Sequence, residues 1–468
     1  MATQAIHFGT SGWRGVMADD FTFPSVRRAC RAIAQRLGAH KRSPSVIVAY
    51  DRRFFSPEFA LESARVLKLY GCRVFLSEEP IPTPAVAHAI LHNGFDGGVN
   101  FTASHNPPEY NGLKFSGPEG GPAMPEVTKD IEKLAGTLLD PGPLGDDSSD
   151  SFEPVHPREA YFSQLKKLVR FDVLSKSSGN FVFDALHGCG AEWLDRILSE
   201  EGVRVTSIRT ERDVLFDGRA PDPAGENLAE LKKLVAEKHA LAGLATDGDA
   251  DRYGILDRDG QFFSPNQILA LLFDYLLETR GKKLGAVRSV ATSHLLDAVA
   301  KIYGVEVYET PVGFKYIGPY LRADKIVIGG EESAGLTIRG HVPEKDGILA
   351  CLLVAEMIVQ RQASLGEQLR DLFRRVGVEL WPIRENLHLP EDVVDRLPEK
   401  LRQDPSKFAG RRVTRIDRTD GLKLVLDGGS WVLMRPSGTE PVVRIYAESN
   451  SIDASTRLAE DARKWISE

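Results

Sequence analysis

The feature that most limits how this chain can fold is a grammar of short β-branched runs separated by helix-length amphipathic stretches, which returns three times along its 468 residues. In the first stretch the pattern predicts strands at 46–50, 73–76 and 98–101, with helices at 56–70 and 84–92 between them. Ser56 before Pro57 is a helix start and Gly71 a stop. Strands joined through helices imply a largely parallel sheet, because a tight turn cannot connect parallel neighbours. The grammar returns as a strand at 181–184, a helix at 191–201, a strand at 203–208 and a helix at 228–238 that runs into 243–251. It returns again as helix 266–279, strand 286–291, helix 294–303 and strands at 305–308 and 325–328.

The C-terminal part changes character. Short strands within 411–424 and at 430–434 are joined by Asp420-Gly421 and Asp427-Gly428-Gly429 turns, and a helix at 454–467 follows. The breaker-rich run PGPLGDDSSD at 141–150 reads as a linker. The expected architecture is an α/β protein with three similar domains of mixed, largely parallel sheets at 1–151, 152–258 and 259–373, plus an α+β domain at 374–468, around a central cleft.

A formal charge of -7 supplies no overall basic field for nucleic acid, so any anionic ligand must meet local cations. Cys30, Cys72, Cys189 and Cys351 stand far apart without a C-x-x-C pair, and read as reduced thiols. No apolar run reaches the length of a bilayer span, and the first residues lack a leader pattern. A soluble, cytoplasmic protein with no membrane or nucleic-acid partner is the expectation.

Four loops carry chemistry. In Phe101-Thr102-Ala103-Ser104-His105-Asn106-Pro107, a serine follows a strand at the sheet edge where α/β proteins bind ligands. A serine hydroxyl needs activation to act as a nucleophile, and His105, Lys114 and Arg14 are candidates; an isolated Ser-His pair by itself marks a capped turn more often than a site. Asp247-Gly248-Asp249-Ala250-Asp251-Arg252 sets three carboxylates at alternate positions, suited to a hard divalent cation. An EF-hand fails here, since Arg252 and Arg258 stand where that loop needs glycine and glutamate. Gly329-Gly330-Glu331-Glu332-Ser333-Ala334-Gly335 reads as a glycine-rich turn whose carboxylate and hydroxyl suit sugar hydroxyls. Arg435-Pro436-Ser437-Gly438-Thr439-Glu440-Pro441 lies between two strands, and Arg435, Ser437, Thr439 and the backbone around Gly438 can cup an anion, with Arg444 adding charge. No nucleotide-binding glycine motif occurs.

With Gly9-Thr10-Ser11-Gly12-Trp13-Arg14-Gly15, these motifs make the whole chain resemble the α-D-phosphohexomutase family, which includes phosphoglucomutases, phosphomannomutases and phosphoglucosamine mutases. The resemblance implies that Ser104 carries a phosphoryl group and joins Asp247, Asp249 and Asp251 around magnesium. It implies Glu331 and Ser333 as readers of sugar hydroxyls, and Arg435, Ser437, Gly438 and Thr439 as the clamp on the non-reacting phosphate. It sets Arg14, His105, Lys114 and Arg252 around the phosphoserine, Thr10 and Ser11 on the substrate side, and Lys315 as a phosphate ligand. One departure is Val312, where relatives usually have threonine.

The implied activity is that of an isomerase converting glucose 1-phosphate and glucose 6-phosphate into one another through phospho-Ser104 and a bound glucose 1,6-bisphosphate. Its partners are hexose phosphates, in a monomer or small homo-oligomer. Spacing does not choose between His105 and Lys114 as acid and base. G-E-E-S-A-G leans towards phosphoglucomutases; mannose or glucosamine phosphate, a bisphosphate-releasing phosphotransferase and an idle sugar-phosphate sensor are the alternatives.

Overall fold

The structure, a computed structural model, describes residues 5–145, 151–436 and 442–467. The first sheet has the order Trp13–Val16, Tyr110–Ser116, Gly97–Phe101, Ser45–Tyr50, Arg73–Ser77, Glu153–Val155. Its last four strands are parallel, and its first two are antiparallel to their neighbours. The second sheet runs Phe262–Phe263, Tyr253–Asp257, Ala242–Thr246, Phe181–Asp184, Val205–Ile208, and the third Val307–Thr310, Gly285–Ser289, Ile326–Glu331, Gly335–Ile338.

One device is common to all three. A parallel strand turns back as an antiparallel hairpin: Gly97–Phe101 into Tyr110–Ser116, Ala242–Thr246 into Tyr253–Asp257, and Ile326–Glu331 into Gly335–Ile338. Those connections contain Ser104, Asp247 to Asp251, and Ser333, so repeated topology puts each chemical loop at the C-terminal end of a parallel strand.

The fourth sheet is antiparallel throughout, in the order Trp381–His388, Val442–Ser449, Trp431–Pro436, Leu422–Leu426, Arg411–Asp417, Lys407–Phe408. Helix Ile452–Ser467 buries Leu458, Ala459, Ala462 and Ile466 in the same core as Leu424, Val432 and Ile445 of that sheet. The first three domains share one apolar core that includes Ile47, Ile90, Trp193, Leu272 and Leu353. Burying each large aliphatic side chain is worth about 1.5–3 kcal/mol, so the shared core binds these domains to one another. The fourth domain has its own core and meets the third through a small cluster of Val290, Ala291, Trp431, Leu433 and Tyr446, against which Val312 packs.

Helices absent from the sequence reading include Phe23–Gly38, Gly347–Arg361 and Leu365–Val376. Gly347–Arg361 is buried along nearly all its length, so it is apolar on every face and shows no helical periodicity. Two further expectations need correction. The helix expected from 191 begins at Leu194, because the preceding turn is held by backbone bonds such as Cys189 N to Gly248 O at 2.9 Å. Gly329 and Gly330 belong to a strand rather than a turn, and their missing side chains make room for packing: a Cβ at Gly329 would collide with Ile317 Cγ2.

Candidate active site

Ser104 sits at φ 52°, in the left-handed region, and is almost wholly buried. Its backbone N–H donates to Thr102 Oγ1 at 2.8 Å, which fixes the turn. The sequence reading missed the residue that grips this loop. Arg53, fully buried, donates through Nη2 to the carbonyls of Ser104 and Asn106 at 2.7 and 2.5 Å, and through Nη1 to those of Pro107 and Tyr110 at 2.8 and 3.1 Å. Its charge faces Asp51 Oδ2 at 3.3 Å. The available signal was the charged run Asp51-Arg52-Arg53 at the C-terminal end of a parallel strand. From outside the loop, Arg14 Nη1 donates to Asn106 Oδ1 at 2.6 Å.

Asp247, Asp249 and Asp251 are all buried, and each offers a carboxylate oxygen within 4.8 Å of the others. Ser104 Oγ donates to Asp247 Oδ2 at 2.6 Å. The two loops approach closely enough that a Cβ at Gly248 would lie 2.5 Å from Ser104 O, so only glycine fits there. Lys114 Nζ donates to Asp249 Oδ2 and Asp251 Oδ2, and Thr83 Oγ1 also donates to Asp249. Lys345, a second residue the sequence reading missed, lies 3.2 Å from Asp251 Oδ2 and 3.0 Å from Glu344.

Three buried carboxylates cannot all stay ionised without cations. Burial, then Asp249 and Asp251, push Asp247 well above the usual carboxylate range. Burial opposes ionisation of Asp251 as well, but Lys114, Lys345 and Arg252 outweigh it and hold that carboxyl well below its ordinary value. Asp249 Oδ1 and Asp251 Oδ1 are buried without a hydrogen-bond partner. Buried oxygens left unmatched among convergent carboxylates are the donor set of a hard divalent cation, so these residues fit magnesium.

His105 Nδ1 lies 3.4 Å from Ser104 Oγ. Desolvation, then Arg252 and Arg14, push its imidazole well below the ordinary value, so the ring is neutral. Burial and Arg252 bring Arg14 down to about 10, which leaves it charged at neutral pH. Arg252 Nε stands 3.9 Å from Asp251 Oδ1.

The third domain turns Glu331 inward, where Oε1 accepts from Gly313 N at 2.6 Å. Burial and neighbouring Glu332 raise this carboxyl to about 7. Glu332 accepts from Ser289 Oγ at 2.8 Å and Thr292 Oγ1 at 3.2 Å, while Ser333 is half-buried at the turn. Lys315 is half-buried, and desolvation lowers its ammonium. Thr10 packs beside Gly313, its methyl 3.3 Å from where a Cβ would stand; Ser11 is half-buried on the same segment.

In the fourth domain, Arg435 Nε donates to Asp420 Oδ2 at 2.8 Å, and the same oxygen accepts from Val312 N at 3.0 Å. Asp420, also missed from sequence, thus joins Arg435 to the third domain. Arg444 is half-buried and pairs with Arg435 in the sheet register. Ser437, Gly438 and Thr439 lie outside the described residues.

Profiles of the phosphoglucomutase/phosphomannomutase family match the chain in order: alpha/beta/alpha domain I over residues 5–139, domain II over 159–260, domain III over 264–376 and the C-terminal domain over 392–464. The chain belongs to this family. As a phosphohexomutase it is an isomerase, an intramolecular phosphotransferase. It is 31% identical to a phosphoglucomutase/phosphomannomutase of Thermococcus kodakarensis, covering 98% of both chains. It is 32% identical to a Methanopyrus kandleri protein named probable phosphoglucosamine mutase, covering 97% of this chain and 96% of that one. A phosphoglucomutase of Komagataeibacter xylinus shares 31% identity over 96% of this chain and 88% of its own. Among solved structures, a Thermus thermophilus relative superposes with TM-score 0.86 at 35% identity, covering 100% of both chains. A Burkholderia thailandensis family member gives 0.83 at 25% identity, with 100% and 98% covered.

Proposed function

We propose that this phosphohexomutase interconverts glucose 1-phosphate and glucose 6-phosphate by way of phospho-Ser104. The observation that carries this reading is the 2.6 Å contact of Ser104 Oγ with Asp247, inside a cluster of carboxylates that fits magnesium. In the first half-cycle the Oγ–P bond of phospho-Ser104 breaks as an O–P bond forms to the free sugar hydroxyl, whose proton leaves to a base. Glucose 1,6-bisphosphate is then bound, turns over, and returns its other phosphoryl group to Ser104. In this second half-cycle the other sugar O–P bond breaks as Oγ–P re-forms, and the proton returns to the freed sugar oxygen.

The parts fit transfer by positioning and charge neutralisation. Asp247, Asp249, Asp251 and Ser104 would hold magnesium, which would supply countercharge for the phosphoryl oxygens. Arg14, Lys114 and Arg252 add fixed positive charge. His105, whose Nδ1 lies 3.4 Å from Ser104 Oγ, carries the proton in this reading. Lys315, Thr10 and Ser11 line the substrate side, Glu331 and Ser333 read ring hydroxyls, and Arg435, Arg444, Ser437, Gly438 and Thr439 clamp the distant phosphate. Glucose is assigned on the resemblance of Gly330-Glu331-Glu332-Ser333-Ala334-Gly335 to phosphoglucomutases; the names of relatives, which include phosphoglucomutases and phosphoglucosamine mutases, do not choose between them.

The deciding assay is conversion of glucose 1-phosphate to glucose 6-phosphate with magnesium and a trace of glucose 1,6-bisphosphate. Wild type should turn over, and Ser104→Ala should lose about 10⁴-fold or more, as when a covalent nucleophile is removed. Turnover of mannose or glucosamine phosphate in place of glucose would reassign the substrate, and activity retained in Ser104→Ala would end the phosphoserine reading.

A further inference from the structure

The turn after strand Phe181–Asp184 does more than support the carboxylate loop through Cys189 N and Gly248 O. His187, two residues earlier, is 3% exposed and faces the other way, towards the loop at 209–217. Its Nδ1 lies 3.1 Å from the carbonyl oxygen of Glu211. A carbonyl only accepts, so Nδ1 carries a hydrogen, which leaves Nε2 as the nitrogen able to ligate a metal ion.

That Nε2 is buried and lacks a hydrogen-bond partner, although Asp217 Oδ2 is 3.1 Å away. A lone pair beside a carboxylate oxygen at this distance is repulsive unless a proton or a metal cation lies between them. Asp213 brings a third donor: one carboxylate oxygen of Asp213, one of Asp217 and a His187 nitrogen lie within 4.8 Å of one another. Asp213 is held in place by accepting from the backbone N–H groups of Leu215 and Asp217, both at 2.9 Å.

Arg209 offsets the charge of this group only in part. Its Nη1 stays 3.8 Å from Asp217 Oδ2, and its guanidinium donates to Asp184 and to the Asn227 carbonyl. The Glu211 carboxylate, 3.8 Å from His187 Nδ1, adds further negative charge.

We propose that His187, Asp213 and Asp217 form a second cation site, for a transition-metal dication of the zinc class. The 3.1 Å between His187 Nε2 and Asp217 Oδ2 is within a few tenths of an ångström of the edge, about 3.4 Å, between two tetrahedral ligands each about 2.0–2.2 Å from one zinc ion, and Asp213 lies within 4.8 Å of both. One imidazole with two carboxylates favours zinc or its first-row neighbours over magnesium, which takes oxygen ligands. The role is structural. The site ties the 186–188 turn to a loop that also reaches the first domain, where Arg52 Nη1 donates to Thr210 O at 2.5 Å and Arg212 donates to the carbonyls of Arg52 and Arg53 at 3.1 and 3.2 Å. Arg53 is the residue that grips the Ser104 loop, so the cation would brace that grip from behind.

The test is calorimetric titration of the full chain with zinc in saturating magnesium, which fills the carboxylate loop, followed by metal analysis after desalting. Wild type should take up one zinc per chain and melt at a higher temperature with it. His187→Ala and Asp217→Asn should each weaken zinc binding about 10- to 100-fold, while Asp251→Asn, in the carboxylate loop, keeps it. Should His187→Ala fail to fold, Asp217→Asn, at an exposed loop position, decides. No zinc uptake in saturating magnesium, uptake unchanged in both site variants, or uptake lost only in Asp251→Asn would overturn the proposal.

Discussion

Ser104 Oγ and Asp247 Oδ2 meet at 2.6 Å across 143 positions of sequence, so the first and second domains share one site. Asp247→Asn keeps the shape of the side chain but removes a metal-ligating charge. The expected outcome is loss of the magnesium-dependent rise in melting temperature, with turnover down about 100-fold or more. Thermal melts with and without magnesium check the first, and a coupled assay the second.

Arg53 is expected to matter for stability before catalysis. Arg53→Met leaves Asp51 as a buried charge without its cation and strips four carbonyls of their donors. A loss of about 3–5 kcal/mol follows from breaking such a buried pair, measured by denaturant unfolding. An unchanged midpoint would show that water replaces the guanidinium.

Asp420 links Arg435 to Val312 N, so it aims the proposed phosphate clamp and seats the fourth domain on the third at once. Asp420→Asn should raise KM about 10-fold, the worth of one charged hydrogen bond, with kcat changed less. A fall in kcat alone would place Asp420 in the chemical step instead.

Glu331 supplies a pH signature. Its carboxyl is raised by burial and by Glu332 from 4.5 to about 7, so between those values the folded state holds a proton that the unfolded chain has lost. Stability from this group therefore falls as pH rises through that window, and is lowest above it. Glu331→Gln cannot ionise, so the stability difference between variant and wild type should shift in the variant's favour between pH 5 and pH 8, a span of about three units around the titration. Urea unfolding at both pH values reads this directly; an equal difference at both would mean Glu331 is ionised throughout.

Much of this architecture was legible because it is written locally. The helix starting at Ser56, the strand Phe181–Asp184 and the C-terminal antiparallel strands follow from periodicity and breakers within a few residues. Leu365–Val376 is signalled locally as well, by the capping box that Ser364 and Glu367 form at its start. Gly347–Arg361 is not, since a helix buried on all sides has no polar face to reveal its period.

The chain's own sequence determined which groups are available: Ser104, the alternating carboxylates Asp247, Asp249 and Asp251, Glu331 and Arg435 each sit in a short contiguous motif, because backbone turns are specified by neighbouring residues. Only the tertiary structure decided what those groups do to one another. Arg53 is held by carbonyls more than fifty positions away, Lys345 reaches Asp251 from another domain, and Asp420 finds Val312 across an interface. Hydrogen bonds and Coulomb forces depend on distance in space and on burial, and neither is set by separation along the chain.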